Sequence, residues 1–292
     1  MSLAVLDWGI GGLGFYRAFK ARLPDVPVVY LSDTGFEPYG LVPGPALQRR
    51  LALTAGRLAE AGASRLVVAC NAMSTVLPAA SGLRELGFEQ VCGVIDGGVA
   101  ATLDAGVRVV GVIGGRRTVR SGCYAHRLRA ARLVVRQRVA QPLSGLIEAG
   151  LVASPAFETE SARIVAPLAG VDALVLGCTH YEAAAERLRT LAGGALVIDP
   201  AAATLERVVL GWYGVPASGD GRRGGAAAER GRGADSSGGS SIAWSSVEPA
   251  SADRFFTTGD PAAMVRAARL AFGVELPAVE RVRLRATGSV PA

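Results

Sequence analysis

The sequence predicts an α/β fold: two pseudo-symmetric open parallel-sheet α/β domains with the active site in the cleft between them. Three observations carry this reading. Short β-branched and leucine-rich runs alternate with stretches of helical period, as in βα units that lie parallel and are buried on both faces. The pattern starts twice, with a glycine turn after an apolar run at Trp8-Gly9-Ile10-Gly11-Gly12 and again within Val107 to Gly115 (VRVVGVIGG). Each half also contains an apolar run that stops at a cysteine: LVVACNAMS at Cys70 and VDALVLGCTHY at Cys178. A side chain just past the carboxyl end of a parallel strand lies where open α/β sheets bind ligands.

The elements follow in order. Leu3 to Leu6 is a strand that ends at Asp7, and Leu13 to Leu23 has helical spacing up to Pro24. The glycine turn between them can cradle an anion with its amides, but G-I-G-G-L-G is not a dinucleotide fingerprint. Val26 to Leu31 is a second strand, followed by the turn-rich loop Ser32 to Gly40. Pro45 to Ala63 is an amphipathic helix, and Leu66 to Ala69 is the strand that carries Cys70. A helix is expected near Ser81 to Leu86, then a strand at Val91 to Val94. The second unit opens with VRVVGVIGG, continues through helical segments across Arg116 to Arg138, and reaches the strand before Cys178. Leu196 to Ile198 closes it, with a helix from Ala203 to about Leu210. Residues 216–252 read as a flexible Gly/Ser/Arg-rich insertion with too little apolar surface to offset ordering. Bulky apolar residues return at Arg254, and Asp260-Pro261 opens a last helix. The expected domains are therefore 1–97 with about 200–215 and 253–285, and 98–199.

Composition narrows the function classes. Half of the 292 residues are hydrophobic, enough for a sizeable core. No run reaches the ~18 apolar residues of a membrane span, and the start MSLAVLDWGIGGLG lacks the regions of a signal peptide. The four cysteines form no CxxC pair and only two histidines accompany them, which supports neither a disulfide framework nor a zinc site. The chain reads as cytoplasmic, with reduced thiols. Its net charge of +6 comes from arginines scattered along the chain, Lys20 being the only lysine, and this favours a solvated surface over a nucleic-acid partner.

Two thiols facing one ligand suit inversion at a carbon acid. One thiolate removes the proton, and the opposite thiol delivers another to the other face. Each thiol needs a neighbour that tunes it: Asp7 in the first unit, His180 with Glu148 in the second. The turn amides near Gly9 to Gly12 and Gly114 to Arg116 could meet the developing negative charge.

At these residues the sequence resembles the glutamate racemase family of the aspartate/glutamate racemase superfamily. The likeness rests on the Asp7 to Gly12 turn, DTGFEPYG, ACNAMS, GVID, GVIGG..TV.SG.Y, LIEAGL, LVLGCTHY and RFFTTGD. It implies a cofactor-independent, two-base racemase that makes D-glutamate for peptidoglycan. Carried over by position, Cys70 and Cys178 are its acid/base thiols, assisted by Asp7, Glu148 and His180. Trp8, Pro38, Tyr39, Gly40, Asn71, Ala72 and Thr179 match substrate-pocket positions. The expected partner is a small amino acid, with a homodimer left open and no membrane. Two positions depart from the family pattern: Asp-Ser-Gly is here Asp7-Trp8-Gly9, and Cys-Asn-Thr is Cys70-Asn71-Ala72. These departures keep two other readings alive, a racemase or isomerase for another small acid and a binding or regulatory homologue. Retention of both thiols argues against the second, since a binder needs neither.

Overall fold

The computed structural model describes residues 1–216 and 252–284. Of the insertion expected at 216–252, only Pro216 and Ala252 fall among these, and residue 285 lies outside them. The first unit runs β1 (Leu3–Asp7), α1 (Leu13–Arg22), β2 (Val28–Ser32), α2 (Gly44–Glu60), β3 (Arg65–Val68), α3 (Asn71–Ser74), β4 (Gln90–Gly93) and α4 (Ile95–Asp104). The second begins with β5 (Val109–Gly114), α5 (Arg116–Ser121), α6 (Ala125–Ala130) and β6 (Val134–Val139). It continues through α7 (Gln141–Glu148), α8 (Pro155–Val165), β7 (Ala173–Gly177), α9 (Ala185–Leu191) and β8 (Leu196–Ile198). The chain then forms α10 (Pro200–Thr204), β9 (Arg254–Thr257), α11 (Pro261–Phe272) and β10 (Val279–Arg281).

Two parallel sheets result, ordered β10-β9-β2-β1-β3-β4 and β6-β5-β7-β8. Counted within its own unit, each contains the order second-first-third-fourth, so the two α/β domains are pseudo-symmetric. In each the chain reverses direction across the sheet between the first strand and the third, and this switch point opens a crevice at the strands' carboxyl ends. The glycine turn follows the first strand of each unit and the cysteine follows the third. Strand pairing therefore brings turn and cysteine together: Leu6 pairs with Val68, and Gly114 with Gly177.

Burial explains why these runs are strands. All five residues of β1 are buried, Leu3 and Val5 in one core cluster and Ala4 and Leu6 in the other. The second sheet repeats this, with Val110 and Val112 on one side and Ile113 on the other. Where the chain re-enters the first sheet, Asp253 is buried and accepts hydrogen bonds from Tyr16 Oη, Lys20 Nζ and the Val28 amide, which fixes the position of β9.

Three elements differ from the sequence reading. The helix expected near Ser81 to Leu86 is instead a pair of 3₁₀ turns, Leu77–Ala79 and Ser81–Leu83, since Pro78 and Gly82 interrupt any longer helix. The stretch read as helical through Arg138 ends in β6, whose VVRQRV alternation suits an edge strand. The helix expected from Ala203 starts at Pro200, where Asp199 caps it by accepting from the Ala201 amide.

Candidate active site

The crevice between the two units is lined by Asp7, Trp8, Pro38, Tyr39, Gly40, Cys70, Asn71, Ala72, Cys178, Thr179 and His180. Every site residue expected from the sequence is in this group except Glu148, which stands one layer behind His180.

On the first wall, β1 delivers Asp7, which is fully buried and accepts from the Trp8 amide at 2.8 Å and from Thr179 Oγ1 at 2.9 Å. Burial raises its carboxyl pKa, against the opposing pull of His180 and these hydrogen bonds. Cys70 leaves β3 in extended conformation and opens α3, so its sulfur meets the Met73 amide of the first turn. Its thiol is nevertheless pushed well up, first by burial, then by the negative charges of Asp7 and Cys178. These influences favour the protonated thiol at Cys70, with the Asp7 carboxyl as its neighbour.

The second wall is built differently. Cys178 ends β7 in extended conformation, and a 3₁₀ turn, Thr179–Ala184, begins at once. The turn places His180 Nδ1 3.7 Å from Cys178 Sγ and His180 Nε2 2.6 Å from Glu148 Oε2. Burial works against a charged imidazole. Hydrogen bonds with Cys178 and Glu148, together with their charges, overcome it and hold His180 well above its ordinary 6.5. When protonated, His180 donates from both nitrogens, to Cys178 and to Glu148. A thiolate formed at Cys178 lies beside His180, whereas one formed at Cys70 lies beside the Asp7 carboxyl, whose charge disfavours it.

The glycine turn makes these contacts possible. A Cβ on Gly11 would lie 2.5 Å from Thr179 Oγ1, 2.6 Å from His180 Nδ1 and 2.8 Å from Asp7 Oδ2, and one on Gly9 would collide with the Glu148 carboxylate. Its amides serve the protein here: Ile10 N–H donates to Glu148 Oε2 at 3.0 Å, and in the second turn Arg116 N–H donates to Gln141 Oε1 at 3.1 Å. Two of the amides expected to face a ligand are therefore already engaged.

Two buried polar atoms in the crevice have no hydrogen-bond partner among the described residues, Asn71 Nδ2 and Thr118 Oγ1. Tyr124 Oη donates to Asn71 Oδ1 at 2.6 Å, which fixes the amide and leaves its NH₂ for a ligand. Buried donors are left this way where an acceptor group of a ligand completes them. Thr118, Gln141, Ser144 and Gly115 line the crevice but were not singled out from the sequence. For Thr118 a signal existed: it stands three residues past the second glycine turn, within the helix that follows it. Trp8 turns inward. Its indole lines the crevice 6.3 Å from the His180 ring, and Nε1 donates to the Phe36 carbonyl at 3.0 Å. Tyr39 is held by donating to Asp33 Oδ2, a carboxylate that Arg50 also grips.

Among the described residues no group of three His, Cys, Asp or Glu side chains could hold a metal ion, and no helix is long and apolar enough to cross a membrane.

Known proteins share this sequence pattern and fold. The family model for Asp/Glu/hydantoin racemases matches residues 16–208. A glutamate racemase of Beutenbergia cavernae is 31% identical over 297 residues, covering 99% of this chain and 95% of the relative. One from Aquifex aeolicus is 34% identical over 209 residues, covering 70% and 80%. The crystal structure of Thermus thermophilus glutamate racemase in complex with β-chloro-D-alanine superposes with a TM-score of 0.74, at 29% identity over 97% of each chain. Fold, crevice and relatives make the protein an isomerase, an amino-acid racemase. The chain belongs to the glutamate racemase family of the Asp/Glu racemase superfamily.

Proposed function

We propose that the protein interconverts L- and D-glutamate, without a cofactor, through Cys70 and Cys178 as opposed acid/base groups. The observation that carries this reading is the pair of strand-end thiols on two walls of one crevice, each with its own proton-handling partner. In one direction the Cys178 thiolate, with His180 donating to its sulfur, takes the α-proton from one face of the substrate carbon. The Cys70 thiol gives its proton to the other face, with the Asp7 carboxyl beside it as its proton-transfer partner. The reverse direction exchanges the roles. Asn71 Nδ2 and Thr118 Oγ1 supply donors for a substrate carboxylate, whose negative charge grows as the α-proton leaves. The product would serve cell-wall peptidoglycan synthesis, and the protein would act in the cytoplasm.

A second reading is favoured by one feature. Trp8 places an indole in the crevice and Ala72 presents only a methyl, so the pocket suits another small acid as well as glutamate.

The test is incubation of the protein with a panel of L- and D-amino acids in D₂O, followed by NMR for loss of the α-proton signal. Exchange on glutamate is expected, and Cys70→Ala and Cys178→Ala should each remove racemisation by about 10²–10⁴-fold, the usual weight of a positioned proton-transfer group. Substantial turnover in either variant refutes the two-base assignment. Exchange on another acid but not on glutamate selects the second reading.

A further inference from the structure

Helix α5 belongs to the second unit, yet its Arg117 reaches into the first. Arg117 Nε donates to Thr75 Oγ1 at 2.7 Å, and Nη1 donates to the Val42 carbonyl at 3.0 Å. The Thr75 hydroxyl passes the contact on, donating to the Ala72 carbonyl at 2.7 Å. Ala72 lies in the turn that follows Cys70 and lines the crevice, and Val42 follows Tyr39 and Gly40, which line it from the same unit. Thr118, the neighbour of Arg117 on α5, lines the crevice from the second unit. One guanidinium thus joins three pieces of wall that belong to two sheets.

The charge makes the placement specific. Burial lowers the pKa of Arg117, and no neighbouring charge among the described residues counters that. Drawing an arginine partly out of water against neutral acceptors costs solvation and side-chain freedom, so these contacts outcompete an extended pose in solvent. A fork held by a hydroxyl and a carbonyl is still releasable, because no opposite charge holds it. Other bonds cross the crevice, such as Tyr124 to Asn71 and Thr179 to Asp7, but each ends on a group of the site itself. Removing Arg117 leaves every one of those side chains in place.

Two-base racemisation makes two opposed demands on this junction. The thiols must both reach a single carbon, and a misplacement of about 1 Å can cost ~10²-fold in rate. The substrate must also enter, although Asp7, Cys70 and His180 are 0%, 8% and 2% exposed. We propose that Arg117 is a positioning residue: engaged, its fork sets the spacing of the two thiol-bearing walls, and released, it opens the crevice. The proposal rests on the two-thiol reading above.

The test uses Arg117→Ala, Arg117→Lys, Thr75→Val and Thr75→Ser with two readouts. The first is the rate of iodoacetamide labelling of Cys70 and Cys178, resolved by peptide mass spectrometry, which needs no substrate. The second is steady-state racemisation. Arg117→Ala and Thr75→Val should each speed labelling of both thiols by about fivefold or more and lower kcat by about tenfold. Arg117→Lys should fall between, and Thr75→Ser, which keeps the acceptor, should match the wild type. The double variant Arg117→Ala/Thr75→Val should be no worse than Arg117→Ala, because the two share one contact. Unchanged labelling in Arg117→Ala, or additive effects in the double variant, overturns the proposal even where activity falls. Should Arg117→Ala not fold, Thr75→Val and Arg117→Lys decide it. A protein inactive on every acid tested would sink the racemase reading while the labelling rates still report on Arg117.

Discussion

Glu148 Oε2 lies 2.6 Å from His180 Nε2 and also accepts the Ile10 amide, so one carboxylate charges the imidazole and ties it to the glycine turn of the opposite unit. The pair raises the His180 pKa and so favours the protonated imidazole, although the residue is 2% exposed.

Glu148→Gln keeps the shape and an acceptor for Ile10 but removes the charge. The His180 pKa should fall, and kcat should drop about 10²-fold, with the pH–rate profile losing activity at lower pH than in the wild type. Stability gives the sign independently. The folded value stands above 6.5, so the stability contributed by protonation is complete below that pH and is lost as pH climbs through the raised folded value. The wild type's margin over Glu148→Gln in urea unfolding should therefore be larger at pH 6 than at pH 9.5. A margin independent of pH would show that His180 is not charged through Glu148.

Asp7 behaves in the opposite sense. Burial raises its carboxyl above 3.8, so at neutral pH its charge costs folding stability. Asp7→Asn keeps the acceptor for the Trp8 amide, and its Tm should equal or exceed that of the wild type while racemisation falls about 10²-fold or more. Cys70 should titrate lower in this variant, because after burial the Asp7 charge is the largest influence holding its thiol up. Alkylation of Cys70 against pH reads this directly. An unshifted profile would remove Asp7 as the partner of that thiol.

Gly11→Ala tests how closely the turn is packed on the site. The added Cβ meets three buried groups at 2.5 to 2.8 Å, the Thr179 hydroxyl, the His180 ring and the Asp7 carboxylate, each already held by another bond. Overpacking of this kind costs about 1–3 kcal/mol, and displacement of three site residues should lower kcat/KM by ~10²-fold or more. Chemical denaturation and racemisation measured together check it, and a variant of normal activity would mean that the turn yields without moving the site.

The fold was legible because its signals are local. Strands β1, β3 and β7 are continuous apolar runs, as strands buried on both faces must be, and each stops at the residue that enters the crevice, Asp7, Cys70 or Cys178. His180 was legible from its place two residues past the strand-end Cys178, and Glu148 as its candidate partner, although nothing in their spacing shows that α7 and the turn after β7 meet. Gln141 and Ser144 were missed because they enter the crevice through packing of the second unit on the first. The orientation of Trp8 was equally hidden, because it depends on the Phe36 carbonyl of a distant loop. Strand β6 was read as helix because its arginines resemble those of the helices before it, although its alternation was visible.

Trp8 and Ala72 set the expected substrate behaviour. In the family pattern each position carries a hydroxyl that holds the amino acid; here the first carries an indole that lines the crevice and the second a methyl. Losing a buried hydrogen bond to a charged group costs roughly 1.5–3 kcal/mol, or one to two powers of ten in binding. Asn71 Nδ2 and Thr118 Oγ1 offset part of this, as neither has a hydrogen-bond partner among the described residues. They cannot restore the room that the indole takes, because its bond to the Phe36 carbonyl keeps the ring from swinging out freely. The wild type should therefore be a slow glutamate racemase, and Trp8→Ser/Ala72→Thr should raise kcat/KM on L- and D-glutamate by about tenfold or more. Both directions should rise equally, since enantiomers have equal free energy in water and the ratio of the two kcat/KM values is fixed at unity. Trp8→Ser alone leaves the Phe36 carbonyl without its donor and should lose about 1 kcal/mol of stability, so Ala72→Thr is measured beside it to separate pocket chemistry from folding. Should the wild type already turn over glutamate rapidly, with the double variant no better, then the indole and the methyl are neutral and the pocket holds glutamate by other donors.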